Sequence, residues 1–150
     1  MRVSDVLASK GSDAVFTILP EASIRELLDV LAERNIGAVV VSDDGKKMLG
    51  IVSERDIVRK LRDVENARDM PVTSIMTTDV QVCSPEDSFG SLMLVMTEHR
   101  VRHVPVLDDG KVVGVISIGD AVKYRTDQLE FERDQLLQLG HGRAAVERLR

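Results

Sequence analysis

The feature that most constrains this chain is an internal repeat, because most of its motifs occur twice at nearly the same spacing. The offset is 65 positions through most of the repeat and 64 near its end. The repeated motifs are Pro-Glu-x-Ser at 20–23 and 85–88, Asp-Asp-Gly-Lys at 43–46 and 108–111, and Gly-x-x-Ser-x-x-Asp at 50–56 and 114–120. The chain must therefore fold into two similar units of about 60 residues each.

Each unit is preceded by a short apolar segment, which we call its leader. Residues 3–7 (Val-Ser-Asp-Val-Leu) resemble residues 72–76 (Val-Thr-Ser-Ile-Met) at an offset of 69. Since this offset exceeds that of the repeat proper, the first copy carries about four additional residues between positions 8 and 13.

The pattern within one unit predicts the order strand, helix, strand, strand, helix. Residues 14–18 form a short apolar strand, which Pro20 ends, and Ser23 or Glu21 can cap the next helix. Residues 38–41 and 48–52 are two strands joined by the Asp-Asp-Gly turn. Two helices complete the unit. The apolar face of the first comprises Ile24, Leu27, Leu28 and Leu31, and that of the second comprises Ile57, Val58 and Leu61. The second copy runs from Val80 to Val122.

A unit of this size buries little apolar surface alone, so we expect the two units to share one core with approximate two-fold symmetry. The sequence thus predicts an α/β (α+β) fold of two βαββα units. We assign residues 1–65 to the first unit with its leader and 66–125 to the second, with a charged linker at 62–71. Residues 126–150 form a charged helical tail, which either lies in solvent or packs on a second subunit.

Composition excludes several classes of protein. The hydrophobic content of 43% fits a folded protein, and the net charge of −5 argues against nucleic-acid binding. Cys83 is the single cysteine, so neither an internal disulfide nor a metal site of paired thiolates is expected. No apolar stretch approaches a membrane span, and the first residues do not resemble a signal peptide. We therefore expect a cytoplasmic protein without membrane insertion.

Catalytic motifs are also missing from the sequence. The histidines at 99, 103 and 141 do not form a metal-ligand pattern, and neither a dinucleotide-binding glycine motif nor a Walker loop occurs. Cys83 lies in a predicted strand and is interpreted as a small buried hydrophobe. We expect no enzyme activity, no metal and no catalytic cofactor.

The order and duplication of these motifs make the chain resemble a pair of CBS domains, also called a Bateman module. The resemblance covers residues 3–124 and includes Arg100-Val101-Arg102-His103-Val104-Pro105-Val106 before the second Asp-Asp-Gly turn. It implies a stand-alone regulatory module that binds adenosine ligands in clefts between its units: AMP foremost, and also ADP, ATP, NAD(H) or S-adenosylmethionine. It further implies a homodimer and an unidentified regulated partner. For the dimer surface, we consider the helix face of Leu92, Met93 and Met96, or the leucines of the tail.

The resemblance places one nucleotide site at each Ser-x-x-Asp motif, where the aspartate can accept hydrogen bonds from ribose hydroxyls. Each motif is paired with the opening strand of the other unit. The first site comprises Ser53, Arg55 and Asp56 with Val80, Gln81 and Val82, and the second comprises Ser117 and Asp120 with Ala14, Val15 and Phe16.

Arg102 and His103 are expected to make one pocket the better phosphate binder, because the first unit has Gly37 and Ala38 at the matching positions. Arg55, Arg59 and Lys123 could add positive charge. Structural alternatives stay open at this stage: Ser-x-x-Asp is also a helix capping box, His103 could be a structural histidine, and the apolar residues could be core. The corresponding alternative function is an interaction module with vestigial pockets.

Overall fold

The structure is a computed structural model that describes residues 1–11 and 15–148, with side chains described up to residue 140. Ala14, one of the predicted site residues, lies outside these ranges. The elements follow the duplicated order, and each unit contains an antiparallel hairpin flanked by two helices.

The first unit is built on a three-stranded sheet. Strand β1 (Thr17–Ile18) runs parallel to β2 (Ala38–Val41), and β2 pairs antiparallel with β3 (Gly50–Ser53). Helix α2 (Ile24–Arg34) connects β1 to β2, and helix α3 (Glu54–Lys60) follows β3. The bounds of β2 match the sequence prediction, because its four apolar residues are all buried.

The second unit repeats this arrangement with one difference. Helix α4 (Phe89–Glu98) precedes β4 (His103–Asp108) and β5 (Lys111–Ser117), which pair antiparallel before helix α5 (Ile118–Arg148). The predicted first strand of this unit is wrong in extent. It is reduced to a single parallel bridge from Cys83 to Val106, so the second sheet has two strands.

Two separate cores replace the single shared core predicted from the sequence. One is centred on Leu27, Val39 and Val52 of the first unit, and the other on Leu92 and Val104 of the second. Each unit can support its own core because it receives additional apolar side chains from outside its repeat.

These additional side chains come from the leaders, which are exchanged between the units. Val3 of helix α1 (Val3–Ser9) is buried in the core of the second unit, whereas Val72 is buried in that of the first. The backbone contacts are equivalent. The Val3 N–H donates to the Asp87 carbonyl and the Val72 N–H donates to the Ala22 carbonyl, each at 2.8 Å. The exchange therefore links the two units through both leaders.

A matching pair of glycines makes room for the exchanged leaders. A Cβ at Gly50 would lie 2.7 Å from the Thr77 carbonyl oxygen, and one at Gly114 would lie 2.6 Å from the Leu7 side chain. Leu7 and Met76, which also approaches Gly50, are equivalent positions of the two leaders. The glycine of the Gly-x-x-Ser-x-x-Asp motif thus allows the other unit's leader to pass close to the strand.

Two side-chain predictions on the helices are wrong. Val58 is 68% exposed rather than part of the buried face of α3. Leu92 and Met96 are buried in the second core, so they cannot provide a surface for dimerisation. In the predicted linker, residues Ala67–Asp69 form a 3₁₀ turn.

Helix α5 continues beyond the second unit without a break. Its first turns hold the buried Ala121 and the half-buried Tyr124, whose ring centre lies 5.5 Å from that of Phe89 in a tilted arrangement. Further along, its large apolar side chains are exposed, with Leu136 at 69%. The described part of the tail therefore extends away from the two cores.

Candidate functional site

Two clefts lie where one unit meets the other. The larger has a volume of about 650 Å³ and the smaller about 200 Å³. Each is formed by the Ser-x-x-Asp motif of one unit together with the opening segment and first hairpin strand of the other. The clefts are related by the repeat: Ala38 and His103, which line both of them, are equivalent positions.

The larger cleft brings together most residues of one predicted site. Ser117 and Asp120 from the second unit face Val15 and Phe16 from the first. Leu7 and Ala8 of helix α1 and its C-cap residue Lys10 close the cleft on another side. These residues were not predicted from the sequence, because the exchange of the leaders joins parts of the chain more than 100 positions apart.

The smaller cleft brings together the other predicted site, with one exception. Ser53, Arg55, Asp56, Val80, Gln81, Arg102 and His103 all line it. Val82 does not, and its side chain is 39% exposed. The alternation of a strand would place Val80 and Val82 on the same face, but no strand forms here beyond the bridge at Cys83.

Both Ser-x-x-Asp motifs form capping boxes, as the structural alternative predicts. The Asp56 N–H donates to Ser53 Oγ at 3.3 Å while Asp56 Oδ2 accepts from the Ser53 N–H at 2.9 Å. The Asp120 N–H donates to Ser117 Oγ at 3.0 Å, and Asp120 Oδ2 accepts from the Ser117 N–H at 2.9 Å. The caps fix both carboxylates at the cleft walls, so structural and ligand-binding roles are compatible.

Lys10 is the cationic partner of Asp120 in the larger cleft. Its Nζ lies 2.9 Å from Asp120 Oδ2 and donates to the Val115 carbonyl at 2.6 Å. Burial raises the pKa of Asp120, but the Ser117 N–H and Lys10 outweigh it, and the net effect is a pKa below 3.8. Asp120 is therefore a carboxylate at neutral pH. Within the described part of the chain, its Oδ1 is the oxygen that these contacts leave available.

Asp56 in the smaller cleft has a different environment. Its Oδ2 accepts from the Ser53 N–H and hydroxyl, and its Oδ1 lies 3.2 Å from Lys60 Nζ on the same helix. Lys60 also donates to the Ile75 carbonyl at 2.7 Å. Both oxygens of Asp56 thus already have protein partners.

His103 lies between the clefts. A Cβ at Gly37 would come within 3.2 Å of its ring, so the glycine leaves space for the imidazole to cross toward the larger cleft. Burial lowers the pKa of His103 below its ordinary value, although the nearby Asp120 and Glu54 carboxylates oppose that shift. The imidazole is consequently mostly neutral at neutral pH.

The cations are distributed unequally between the clefts. Arg55, Arg59, Arg100 and Arg102 line the smaller cleft. Among the described residues of the larger cleft, Lys10 alone has a permanent positive charge. Lys123, predicted to add charge, lines neither cleft.

Arg100 lines the smaller cleft but was not predicted as a site residue. The repeat could have identified it, because Arg100 stands two positions before Arg102 and is equivalent to Asn35, which lines the larger cleft. Both residues adopt left-handed backbone conformations just after a helix, with φ of 53° and 51°. No comparable signal identified Lys10, which lies in the additional segment of the first copy.

Cys83 has the properties expected of a structural side chain. It is buried, and burial together with the nearby Asp87 raises the pKa of the thiol to about 11. Since the thiolate is the reactive form, this cysteine is a poor nucleophile at neutral pH.

The residues that the structure describes hold no group of three or more His, Cys, Asp or Glu side chains arranged to bind a metal ion. None of the helices among them combines the length and apolar character needed to cross a membrane.

The arrangement of two duplicated units around paired clefts agrees with the resemblance drawn from the sequence. A family model of the CBS domain matches residues 3–63 and 72–127. The chain belongs to the CBS-domain family. Its α+β fold of two CBS units is thereby confirmed, and pairs of this kind are generally regulatory ligand-binding modules.

Two curated relatives match most of this chain. A mitochondrial CBS domain-containing protein, CBSX3 of Arabidopsis thaliana, is 33% identical over 129 residues, which cover 81% of this chain and 63% of that protein. An uncharacterised 33.4 kDa protein from the ribosomal RNA operon of Thermofilum pendens is 36% identical over 107 residues, covering 71% of this chain and 35% of the relative. The chain thus spans less than two thirds of either protein.

Solved structures show the same architecture. The CBS-domain protein ATU1752 of Agrobacterium tumefaciens is 41% identical with a TM-score of 0.77, covering 83% of this chain and 99% of that one. PAE2072 of Pyrobaculum aerophilum, a complex with AMP, is 31% identical with a TM-score of 0.70, covering 80% and 89%. The CBS pair of MJ0100 was solved with 5′-methylthioadenosine and S-adenosylmethionine, at 25% identity and a TM-score of 0.74, covering 85% and 98%.

Proposed function

We propose that this CBS pair binds adenosine nucleotides in its two clefts and thereby regulates a partner protein in trans. The observation that carries the proposal is the placement of each Ser-x-x-Asp carboxylate in the wall of a cleft completed by the other unit. The adenosine ligands of PAE2072 and MJ0100 support the same ligand class. AMP is the expected ligand, with ADP, ATP, NAD(H) and S-adenosylmethionine as further candidates.

The larger cleft suits the adenosine group. Its volume of about 650 Å³ lies within the usual range for small-molecule sites, roughly 300–1,000 Å³. Val15, Phe16 and Ile36 supply apolar surface against which adenine can stack. Asp120 Oδ1 would accept a hydrogen bond from a ribose hydroxyl while Oδ2 keeps the capping bond from Ser117.

The smaller cleft suits phosphate. Its four arginines outnumber the carboxylates of Asp56 and Asp79. Arginine binds phosphate with two parallel hydrogen bonds, which favours phosphorylated over unphosphorylated ligands. Its volume of about 200 Å³ is below the usual range, so binding of a whole nucleotide would require the arginine side chains to move apart.

One observation favours the alternative, an interaction module with vestigial pockets. Both aspartates already have internal partners, Lys60 for Asp56 and Lys10 for Asp120. If these contacts serve only the stability of the fold, the clefts have no ligand to sense. A thermal-shift screen with the five adenosine ligands distinguishes the two functions, because a ligand of the folded state raises the melting temperature as its concentration increases.

Calorimetry with Asp56→Asn and Asp120→Asn tests the proposal directly. An asparagine keeps one oxygen for the capping bond but removes the second acceptor and the charge, so each variant should fold while losing affinity in one cleft. Asp127→Asn, on the exposed part of α5, is the matched control and should bind as the original protein does. Unchanged affinity in both cleft variants, or no thermal shift with any ligand, would overturn the proposed function.

We also propose that the protein acts in the cytoplasm as a homodimer. The exposed apolar side chains of Leu94 on α4 and Val58 on α3 support an association surface on the helices, and those of the tail offer a second one. Sedimentation of the whole chain and of a chain ending at residue 125 would separate the two surfaces. A monomer at micromolar concentration in both cases would contradict the dimer.

A further inference from the structure

Lys10 has a position that neither the capping boxes nor the repeat explains. It is the C-cap residue of α1, just after the first leader, and it reaches across to the second unit. Its ammonium group is held by the Asp120 carboxylate and the Val115 carbonyl, within the wall of the larger cleft. The Lys10 and Asp120 side chains are 33% and 29% exposed, so this ion pair is partly shielded from solvent.

The charge balance of the larger cleft depends on this lysine. Among the described residues that line it, Asp120 is the one carboxylate and Lys10 the one permanent cation. His103 contributes little positive charge at neutral pH, because burial lowers its pKa. Arg34 lies nearby, but its guanidinium is stacked 3.6 Å from the centre of the Phe16 ring.

A ligand that places its ribose on Asp120 must therefore meet Lys10. An uncharged nucleoside would share the carboxylate with the ammonium group and give Lys10 no new partner. A 5′-phosphorylated ligand would provide an anion that Lys10 can bind with one of its three N–H donors. The flexible four-carbon stem lets the ammonium group swing from Asp120 toward a phosphate.

We propose that Lys10 is the specificity-determining residue of the larger cleft, selecting 5′-phosphorylated adenosine ligands over adenosine itself. This inference rests on the proposed function, since it assumes that the larger cleft binds the adenosine group. The phosphate would then be recognised by a residue that directly follows the helix of the exchanged leader.

The smaller cleft provides an internal contrast. Lys10 lies in the additional segment of the first copy and therefore has no counterpart in the second. The segment that follows the second leader contributes Asp79, a residue of opposite charge, to the smaller cleft. Phosphate selection by a lysine is therefore specific to the larger cleft, whereas the smaller cleft depends on its arginines.

The test compares AMP with adenosine by calorimetry, in an Asp56→Asn background that disables the ribose acceptor of the smaller cleft. Lys10→Met should weaken AMP binding by about tenfold or more, as expected for one charge-assisted hydrogen bond, and leave adenosine affinity unchanged or tighter. Lys10→Arg keeps the cation and should retain the preference for AMP. Lys111→Met, at the exposed first residue of β5, is the matched control and should change neither affinity.

Four outcomes would overturn the inference. Equal weakening of AMP and adenosine by Lys10→Met would assign Lys10 a structural role, and equal tightening would make it an internal blocker of the cleft. Unchanged affinities would remove it from recognition altogether. If the Asp56→Asn protein with Lys10 intact binds neither AMP nor adenosine while still melting cooperatively, the proposed function fails for the larger cleft, and the inference fails with it.

Discussion

The two clefts of this protein share one backbone design but differ in chemistry. Asn35 and Gly37 in the wall of the larger cleft correspond to Arg100 and Arg102 in the wall of the smaller one. The segments Asn35–Ala38 and Arg100–His103 enter their hairpins in the same way, and each begins with a left-handed residue. The local fold therefore does not determine which cleft has the greater positive charge.

A duplicated unit can thus keep its framework while the side chains around its clefts diverge. The Ser-x-x-Asp caps, an antiparallel hairpin and an exchanged leader occur in both copies. The side chains on the rims of the clefts differ between the copies, since Asn35 and Gly37 of one stand where Arg100 and Arg102 stand in the other. Substitutions in the shared framework and at the divergent rims should therefore have different effects on stability and on ligand binding.

The largest effect is expected at the glycine beneath the second leader. In Gly50→Ala, the new Cβ would overlap the Thr77 carbonyl oxygen, which belongs to the backbone. The free energy of unfolding should therefore fall by about 3 kcal/mol. In Gly114→Ala, the overlap is with the flexible Leu7 side chain, and we expect a cost of about 1 kcal/mol. Urea denaturation measures both. Equal costs would mean that the two leader crossings are equally rigid.

Truncating the buried leader valines should give a smaller and more symmetrical effect. Val3 and Val72 are equivalent residues and both are fully buried, each in the core of the other unit. Val3→Ala and Val72→Ala should each cost about 2 kcal/mol, from two buried methyl groups and the cavity left behind. Thermal and urea unfolding provide the measurement. If Val3→Ala were neutral, the exchange of the first leader would be refuted.

Substitutions at the rims should change ligand binding in one cleft at a time. Arg102 lines the smaller cleft alone, so Arg102→Ala should lower the affinity of that cleft for a phosphorylated ligand by about tenfold. Binding in the larger cleft should be unchanged. His103 lines both, so His103→Ala should alter binding in each. Titrations in the Asp56→Asn and Asp120→Asn backgrounds assign each loss to one cleft. An Arg102→Ala effect confined to the larger cleft would contradict the assignment.

The smallest effect is expected from pH. Because burial lowers the pKa of His103, the unfolded chain takes up its proton first as the pH falls. The contribution of His103 to stability is therefore complete above its unfolded pKa of about 6.5 and declines below it, by at most about 1.4 kcal/mol per pH unit. His103→Gln should flatten this decline in urea titrations between pH 5 and 7.

Two groups help to interpret that pH profile. The exposed His99 is the control, and His99→Gln should leave the decline unchanged. Asp120 has a lowered pKa, so its contribution is present above 3.8 and is lost only at more acidic pH, outside this window. A decline that survives His103→Gln would show that another group is responsible.

Much of the framework followed from short stretches of sequence. Strand β2, the serine cap of α2 and the two Ser-x-x-Asp caps were predictable because each depends on residues a few positions apart. The duplicated spacing also indicated that the two motifs would meet the opening segments of opposite units, as they do in both clefts. Whether these residues bind nucleotide stays a prediction.

Two units, their hairpins and the serine caps of their helices could be predicted from the sequence alone, because periodicity, turns and caps are local properties of a chain; the first strand of the second unit could not. Tertiary structure alone decided that the leaders cross to the opposite cores and that Lys10 reaches Val115, 105 positions away. It also left Val82 out of the smaller cleft. These outcomes depend on the packing of apolar surface between distant segments. No short sequence pattern specifies which of these segments will pack together.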